Sequence, residues 1–317
     1  MKKSITISFI LLSLLTISCK QNKKEKEVKN VLASWADTDT KTAILKFVAS
    51  VTDKTSEAYV APKNRIAIFD LDGTVICEKP RYSEVAFSVY HLKRMAQLDS
   101  TLTETQPYKA ALENDNQYLQ DSVDQVLITP FIGYSQKQYT DSVLSYFKTE
   151  KNDSLNITYE KLFYKPMVDL IAYLKQHNFK VYVSSYTQQS FIRSITPHYL
   201  GLDKEHSIGS LVDLEFETVE NKPAFVRQDD FVLKNSLKAE VIEYQIGQTP
   251  ILVAGNSGGD IEMLEYANLT QPHMVLIVDH DDSEREFEYH DTGLLETAKE
   301  NNWNIISMKN DFKTLFQ

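Results

Sequence analysis

The sequence predicts an α/β fold, with a parallel sheet flanked by helices on both faces and a helical segment inserted into it. Three observations carry this. Short apolar runs recur at Arg65 to Phe69 (RIAIF), Lys180 to Ser184 (KVYVS), Ile251 to Ala254 (ILVA), Met274 to Val278 (MVLIV) and Asn304 to Ser307 (NIIS). Runs without polar alternation mark strands covered on both faces, as in parallel sheets. Helical patterns lie between the later runs, at 167–176, 238–245 and 260–267, which is the alternation of βα units. The first two runs are separated by about 110 residues, far more than a crossover requires, so the interval holds an insertion.

In chain order, Lys2 and Lys3 precede an apolar run from Ile5 to Ile17 that ends at Ser18 and Cys19. Residues 1–18 therefore have the form of an export signal, too short to span a membrane comfortably. Leu15 to Cys19 resembles a loose bacterial lipobox, with Cys19 as the lipidated first residue. An ordinary signal peptide or a short anchor helix is the plainer alternative. Residues 19–30 lack apolar periodicity and read as a solvated tether. The expected location is the periplasmic side of the cell envelope, with a membrane held through the lipid anchor.

Thr38 precedes a pattern of Ala43, Ile44, Phe47, Val48 and Val51, a capped amphipathic helix. The core is expected from 31–79 and 166–317, and a helical cap from 80–165, which is polar, rich in Tyr and Phe, and helical in pattern at 83–99, 107–119 and 136–151. Segment 207–233 alternates apolar and polar residues and reads as a hairpin appended to the core.

The net charge is −10, from 34 basic and 44 acidic residues, and loss of Lys2 and Lys3 would make the remainder more acidic. Nucleic acid is disfavoured as a partner, because phosphate backbones are bound by Lys and Arg. An acidic protein that handles phosphate needs a local positive centre, a metal ion with a few basic side chains. If Cys19 is acylated, Cys77 has no disulfide partner within the chain. With no His near it in sequence, it reads as a packing residue.

The chemistry centres on Asp70-Leu71-Asp72-Gly73-Thr74, directly after the RIAIF run. Open α/β sheets bind ligands at the carboxyl ends of their strands. Two carboxylates separated by one residue, with a turn starting there, can converge on one centre. A carboxylate is a competent nucleophile toward a phosphoryl group once a cation offsets the repulsion. The second can protonate the leaving oxygen and later activate water. Gly73 allows the chain to reverse.

On these residues the sequence resembles the haloacid dehalogenase (HAD) superfamily, in particular its phosphoserine-phosphatase-like branch with a Rossmann-like core and a helical cap. The resemblance implies that Asp70 is the nucleophile and Asp72 the acid/base, its backbone carbonyl on a Mg²⁺ ion. It implies that Ser184, ending the KVYVS run, binds the transferring phosphoryl group, with Gly73, Thr74 and Ser185 around it. Lys238 matches the lysine that pairs with the phosphoaspartate, with Lys222 as a weaker competitor. Gly255-Asn256-Ser257-Gly258-Gly259-Asp260 matches the acidic motif that holds Mg²⁺, with Asp260 as an acidic ligand. The family usually has Gly-Asp where this chain has Gly255-Asn256. An amide oxygen can still bind a hard cation, but the lost negative charge should weaken binding.

Ser34 to Asp37, Cys77 to Pro80 and His280 to Tyr289 look like a bacterial exported branch of these phosphatases. His280 and Arg285 are expected to face the substrate, and the cap to close over it. Tyr82, Tyr90, Phe131 and Tyr134 are either cap core or an aromatic cage for a quaternary amine.

The implied activity is Mg²⁺-dependent hydrolysis of a small phosphorylated substrate such as phosphoserine, phosphocholine or a nonspecific monoester. A dehalogenase would not need Asp72, since halide leaves without a proton. A phosphotransferase on the same fold and a non-catalytic ligand-binding lipoprotein are the alternatives.

Overall fold

The computed structural model describes residues 31–233 and 238–317. The signal segment 1–18, Cys19 and the tether 19–30 lie outside the described residues. Seven strands form one sheet in the order β4-β3-β2-β1-β5-β6-β7. They are β1 (Ile66–Phe69), β2 (Lys180–Gln188), β3 (Ser207–Val219), β4 (Lys222–Leu233), β5 (Leu252–Gly255), β6 (Met274–Asp279) and β7 (Asn304–Ser307). All neighbours are parallel except β3 and β4. This is the expected α/β architecture.

The side chains show why the strands read as apolar throughout. Ala67, Phe69, Val181, Val183, Leu252, Ala254, Leu276 and Val278 enter one buried cluster. Their strand neighbours Ile66, Ile68, Val253, Val275 and Ile277 enter another. Alternate residues point to opposite faces, and each face has its own cover. On the first lie α1 (Asp39–Thr52), capped by Thr38, α7 (Lys165–Gln176) and α8 (Gln189–Tyr199). On the second lie α9 (Lys238–Ile246), α10 (Ile261–Tyr266) and α11 (Thr292–Glu300). A short α12 (Met308–Asp311) follows β7. Among the described residues no helix is long and apolar enough to cross a membrane.

Between β1 and β2 lie α2 (Ser83–Leu98), α3 (Tyr108–Glu113), α4 (Asn116–Asp121), α5 (Val123–Ile128) and α6 (Gln136–Thr149). The helical pattern at 107–119 is interrupted because Asn114 takes a left-handed conformation and Asp115 caps the next helix. Helix α2 divides the insertion. Phe87 stacks on Phe131 at 4.7 Å and belongs to the main core. Val89, Leu92 and Ala96 form a separate small cluster with Tyr108, Ala111 and Leu119. The inner side of the insertion is therefore continuous with the core. The hairpin also differs from expectation: it is not appended but extends the main sheet, because β3 pairs in parallel with β2. Its turn residues Glu220 and Asn221 both have positive φ, the geometry of a two-residue hairpin turn.

A buried polar cluster joins insertion, sheet and hairpin. Glu84 accepts from the Gln188 amide at 3.1 Å, and the Arg227 guanidinium, which bonds the Gln188 side chain, lies 3.9 Å from the Tyr139 ring centroid. Burial pushes the Glu84 carboxyl up to about 8, against the Gln188 amide and Arg227. An unfolded Glu titrates at about 4.3, so stability is whole below that range and lost as pH rises through about 8. Melting temperature is expected to fall between pH 5 and pH 8, and to fall less in Glu84→Gln. Scanning calorimetry at three pH values checks this; equal slopes would contradict it.

Candidate active site

Asp70 leaves β1 with its amide bonded to the Ala254 carbonyl of β5 at 2.9 Å. Its side chain is buried, and Lys238 Nζ bonds Asp70 Oδ1 while lying 2.6 Å from Asp260 Oδ1. Burial and the Asp260 charge push the Asp70 carboxyl up, and Lys238 works against both. Burial also opposes the Lys238 ammonium, but Asp70 and Asp260 more than offset it and raise its pKa. Lys238 thus sits at the head of α9 as a retained positive charge between two carboxylates, while Lys222 starts strand β4 in the hairpin.

Asp72 is half-buried on the same turn. Its Oδ2 accepts from Thr187 Oγ1 at 3.0 Å and Ser185 Oγ at 3.4 Å. Burial pushes this carboxyl up to about 6, helped by Glu78 and opposed by the hydroxyls and Lys238. Thr187 escaped the sequence reading because β2 continues past Ser184 to Gln188; the aromatic and β-branched residues in SSYTQ were the available signal. Ser184 is fully buried and its hydroxyl has no partner among the described residues. Buried polar groups are nearly always paired, so this one is available to a ligand.

Asn256 follows β5 and packs against Gly73, where an added Cβ would fall 2.0 Å from Nδ2. Gly73 has φ +77. Thr74 Oγ1 lies 3.2 Å from Asn256 Oδ1. The same end of the amide lies 3.0 Å from the Asp72 carbonyl oxygen and 3.3 Å from Asp70 Oδ2. With the amide oxygen facing in, three oxygens meet with no proton between them. Ligands about 2.1 Å from an octahedral Mg²⁺ are spaced at about 3 Å, so this donor set fits that ion. Turned over, the amide nitrogen would donate to the same oxygens. Among the described residues no group of three or more His, Cys, Asp and Glu side chains is placed to hold a metal; the cradle uses one carboxylate, one carbonyl and one amide.

Other expectations change. Asp260 Oδ1 meets Lys238, and Oδ2 accepts the amides of Asn256 and Ser257 at 3.0 and 3.1 Å. It holds the lysine and the loop, and Asn256 takes the place nearest Asp70. Arg285 does not face the site: it bonds Asp282 and donates to the carbonyls of Phe312 and Met308 at 2.7 and 2.8 Å. His280 is buried behind the Asp70–Thr74 turn, its Nε2 2.8 Å from the Gly73 carbonyl. Glu286, which sequence reasoning passed over, meets the other ring nitrogen at 3.1 Å. Cys77 is buried and donates to Glu286 at 3.0 Å, and burial pushes its thiol up. The four aromatics do not gather into one cage: Phe131 is core, with Tyr134 edge-on to it, Tyr90 packs on Tyr146, and Tyr82 alone stays exposed, close enough to the Asp70 and Asp72 charges to feel them.

No protein-family model and no curated protein matches the chain. Solved structures do. A conserved protein of unknown function from Anaerococcus prevotii shares 16% identity at TM-score 0.54, covering 86% of this chain and 94% of its own. A protein of unknown function from Bordetella pertussis shares 13% at TM-score 0.51, covering 77% of this chain and 99% of its own. A phosphoserine phosphohydrolase-like protein from Francisella tularensis shares 16% at TM-score 0.37, covering 74% and 98%. For the first two the likeness speaks to the fold alone.

Proposed function

We propose that the chain is a phosphomonoester hydrolase that acts through an aspartyl-phosphate on Asp70. The observation that carries this reading is one turn on which the Asp70 and Asp72 carboxyls sit two residues apart at a strand's exit, with Lys238 and the Asn256 amide on the first of them. Asp70 attacks phosphorus as the bond to the leaving oxygen breaks. Lys238 and the unpartnered Ser184 hydroxyl offset charge on the transferring group. Asp72, its carboxyl raised toward neutral pH, gives a proton to the leaving oxygen and then takes one from the water that releases phosphate. Asp70 Oδ2, the Asp72 carbonyl and Asn256 would hold Mg²⁺, which supplies positive charge to the phosphate oxygens when bound.

The substrate class that fits is a small phosphomonoester, of the phosphoserine, phosphocholine or nonspecific kind. Export and anchoring through Cys19 at the periplasmic side of the envelope belong to the same reading. The test is phosphate release from p-nitrophenyl phosphate and a monoester panel by residues 20–317, with Mg²⁺ or with EDTA. Turnover with Mg²⁺, lost in EDTA and restored by readdition, is expected. No release from any ester would overturn the hydrolase reading.

A further inference from the structure

We propose that His280, its ring fixed by Glu286, is a positioning residue that sets the catalytic turn through the Gly73 carbonyl; this rests on the hydrolase reading above. His280 follows β6, two strands from β1, and its side chain is almost wholly buried. Nε2 lies 2.8 Å from the Gly73 carbonyl oxygen, which only accepts, so Nε2 donates. Nδ1 lies 3.1 Å from Glu286 Oε2. The other Glu286 oxygen accepts from Tyr164 at 2.6 Å and from Cys77 at 3.0 Å, so this carboxylate is surrounded by donors. Tyr289 stacks on the imidazole at 4.1 Å between centroids, and its hydroxyl lies 3.0 Å from Nε2. The ring therefore has little freedom to turn.

What the ring holds matters because Gly73 is the hinge of the turn, with φ +77 and its amide on the Ile76 carbonyl at 2.8 Å. A peptide unit is planar and trans, so fixing the Gly73 carbonyl toward His280 aims the Thr74 amide the opposite way. That amide meets no backbone acceptor among the described residues. The same peptide leads into Thr74, whose hydroxyl touches Asn256. Rotation about Gly73 would thus carry Thr74 away from the Asn256 amide and loosen the Asp70–Asp72 pair. Arg285 supplies the internal control. It ties the same 280–289 loop to the carbonyls of Phe312 and Met308, without contact to the turn.

The experiment compares His280→Gln, Glu286→Gln and Arg285→Ala in the 20–317 protein with Mg²⁺. It reads kcat and KM for p-nitrophenyl phosphate, melting temperature, and the ¹⁹F spectrum of a beryllofluoride adduct on Asp70. His280→Gln is expected to lose about 100-fold in kcat with KM within about 3-fold, and to shift or broaden the adduct resonances. Glu286→Gln should lose less. Arg285→Ala should melt earlier yet keep kcat within about 3-fold and an unchanged spectrum. A wild-type spectrum and kcat in His280→Gln, or an equal kcat loss in Arg285→Ala, overturns the proposal while leaving the hydrolase reading standing. A wild-type protein that forms no adduct and hydrolyses nothing overturns both. If His280→Gln does not fold, Glu286→Gln is judged by the same two outcomes, since it keeps the imidazole but removes the charge that fixes it.

Discussion

Asp70→Asn is expected to abolish phosphate release, with a loss of at least about 10⁴-fold, while the protein still folds. An amide has nearly the volume of the carboxylate but cannot form the acyl phosphate. Folding should survive because Lys238 keeps its second carboxylate, Asp260, at 2.6 Å. The substitution also removes one of two like charges whose proximity, with burial, raises the Asp70 carboxyl. Phosphate release and calorimetry on the same preparation decide the matter. Turnover within about tenfold of wild type would mean that no covalent step occurs at this residue.

Lys238→Met is expected to have the largest effect on stability. Lys238 is nearly inaccessible and is the ammonium between Asp70 and Asp260, both also buried. Removing one partner of a buried ionic group typically costs about 3–5 kcal/mol, and turnover should fall with it. The sign with pH is distinctive. Without the ammonium the Asp70 carboxyl loses the charge that works against its burial and is raised further above its unfolded value, so the variant is most stable below the ordinary carboxylate range and weakens as pH rises. Denaturant unfolding at pH 5 and pH 8 measures this. A variant as stable as wild type at pH 8 would show that the lysine does not balance the pair.

The fold was legible because the central strands are buried on both faces, which removes polar alternation from RIAIF, ILVA and MVLIV and leaves a mark that needs no partner to read. Asp70 and Asp72 were legible for a related reason: acids at the end of such a run have few structural explanations. Asp260 was found, but its contacts with Lys238 and the amides of Asn256 and Ser257 could not be read from sequence order. Thr187 was missed because β2 outruns its apolar stretch. His280 was seen and misplaced, and Glu286 overlooked, because the contact from residue 280 to residue 73 has no local period. The hairpin looked separate for the same reason: its parallel partner lies in another part of the chain.

The division of the inserted segment along α2 also sorts its parts by how easily they come loose. Lifting the whole segment would tear Phe87 and Phe147 from Phe191 and Tyr199. Peeling back α3 and α4 would break the small cluster around Leu92 and Tyr108 and leave the aromatic layer intact. Cooperative opening follows the boundary where fewest apolar contacts are lost. The outer helices of the segment thus come away more readily than the aromatic layer beneath them, which behaves as a fixed floor.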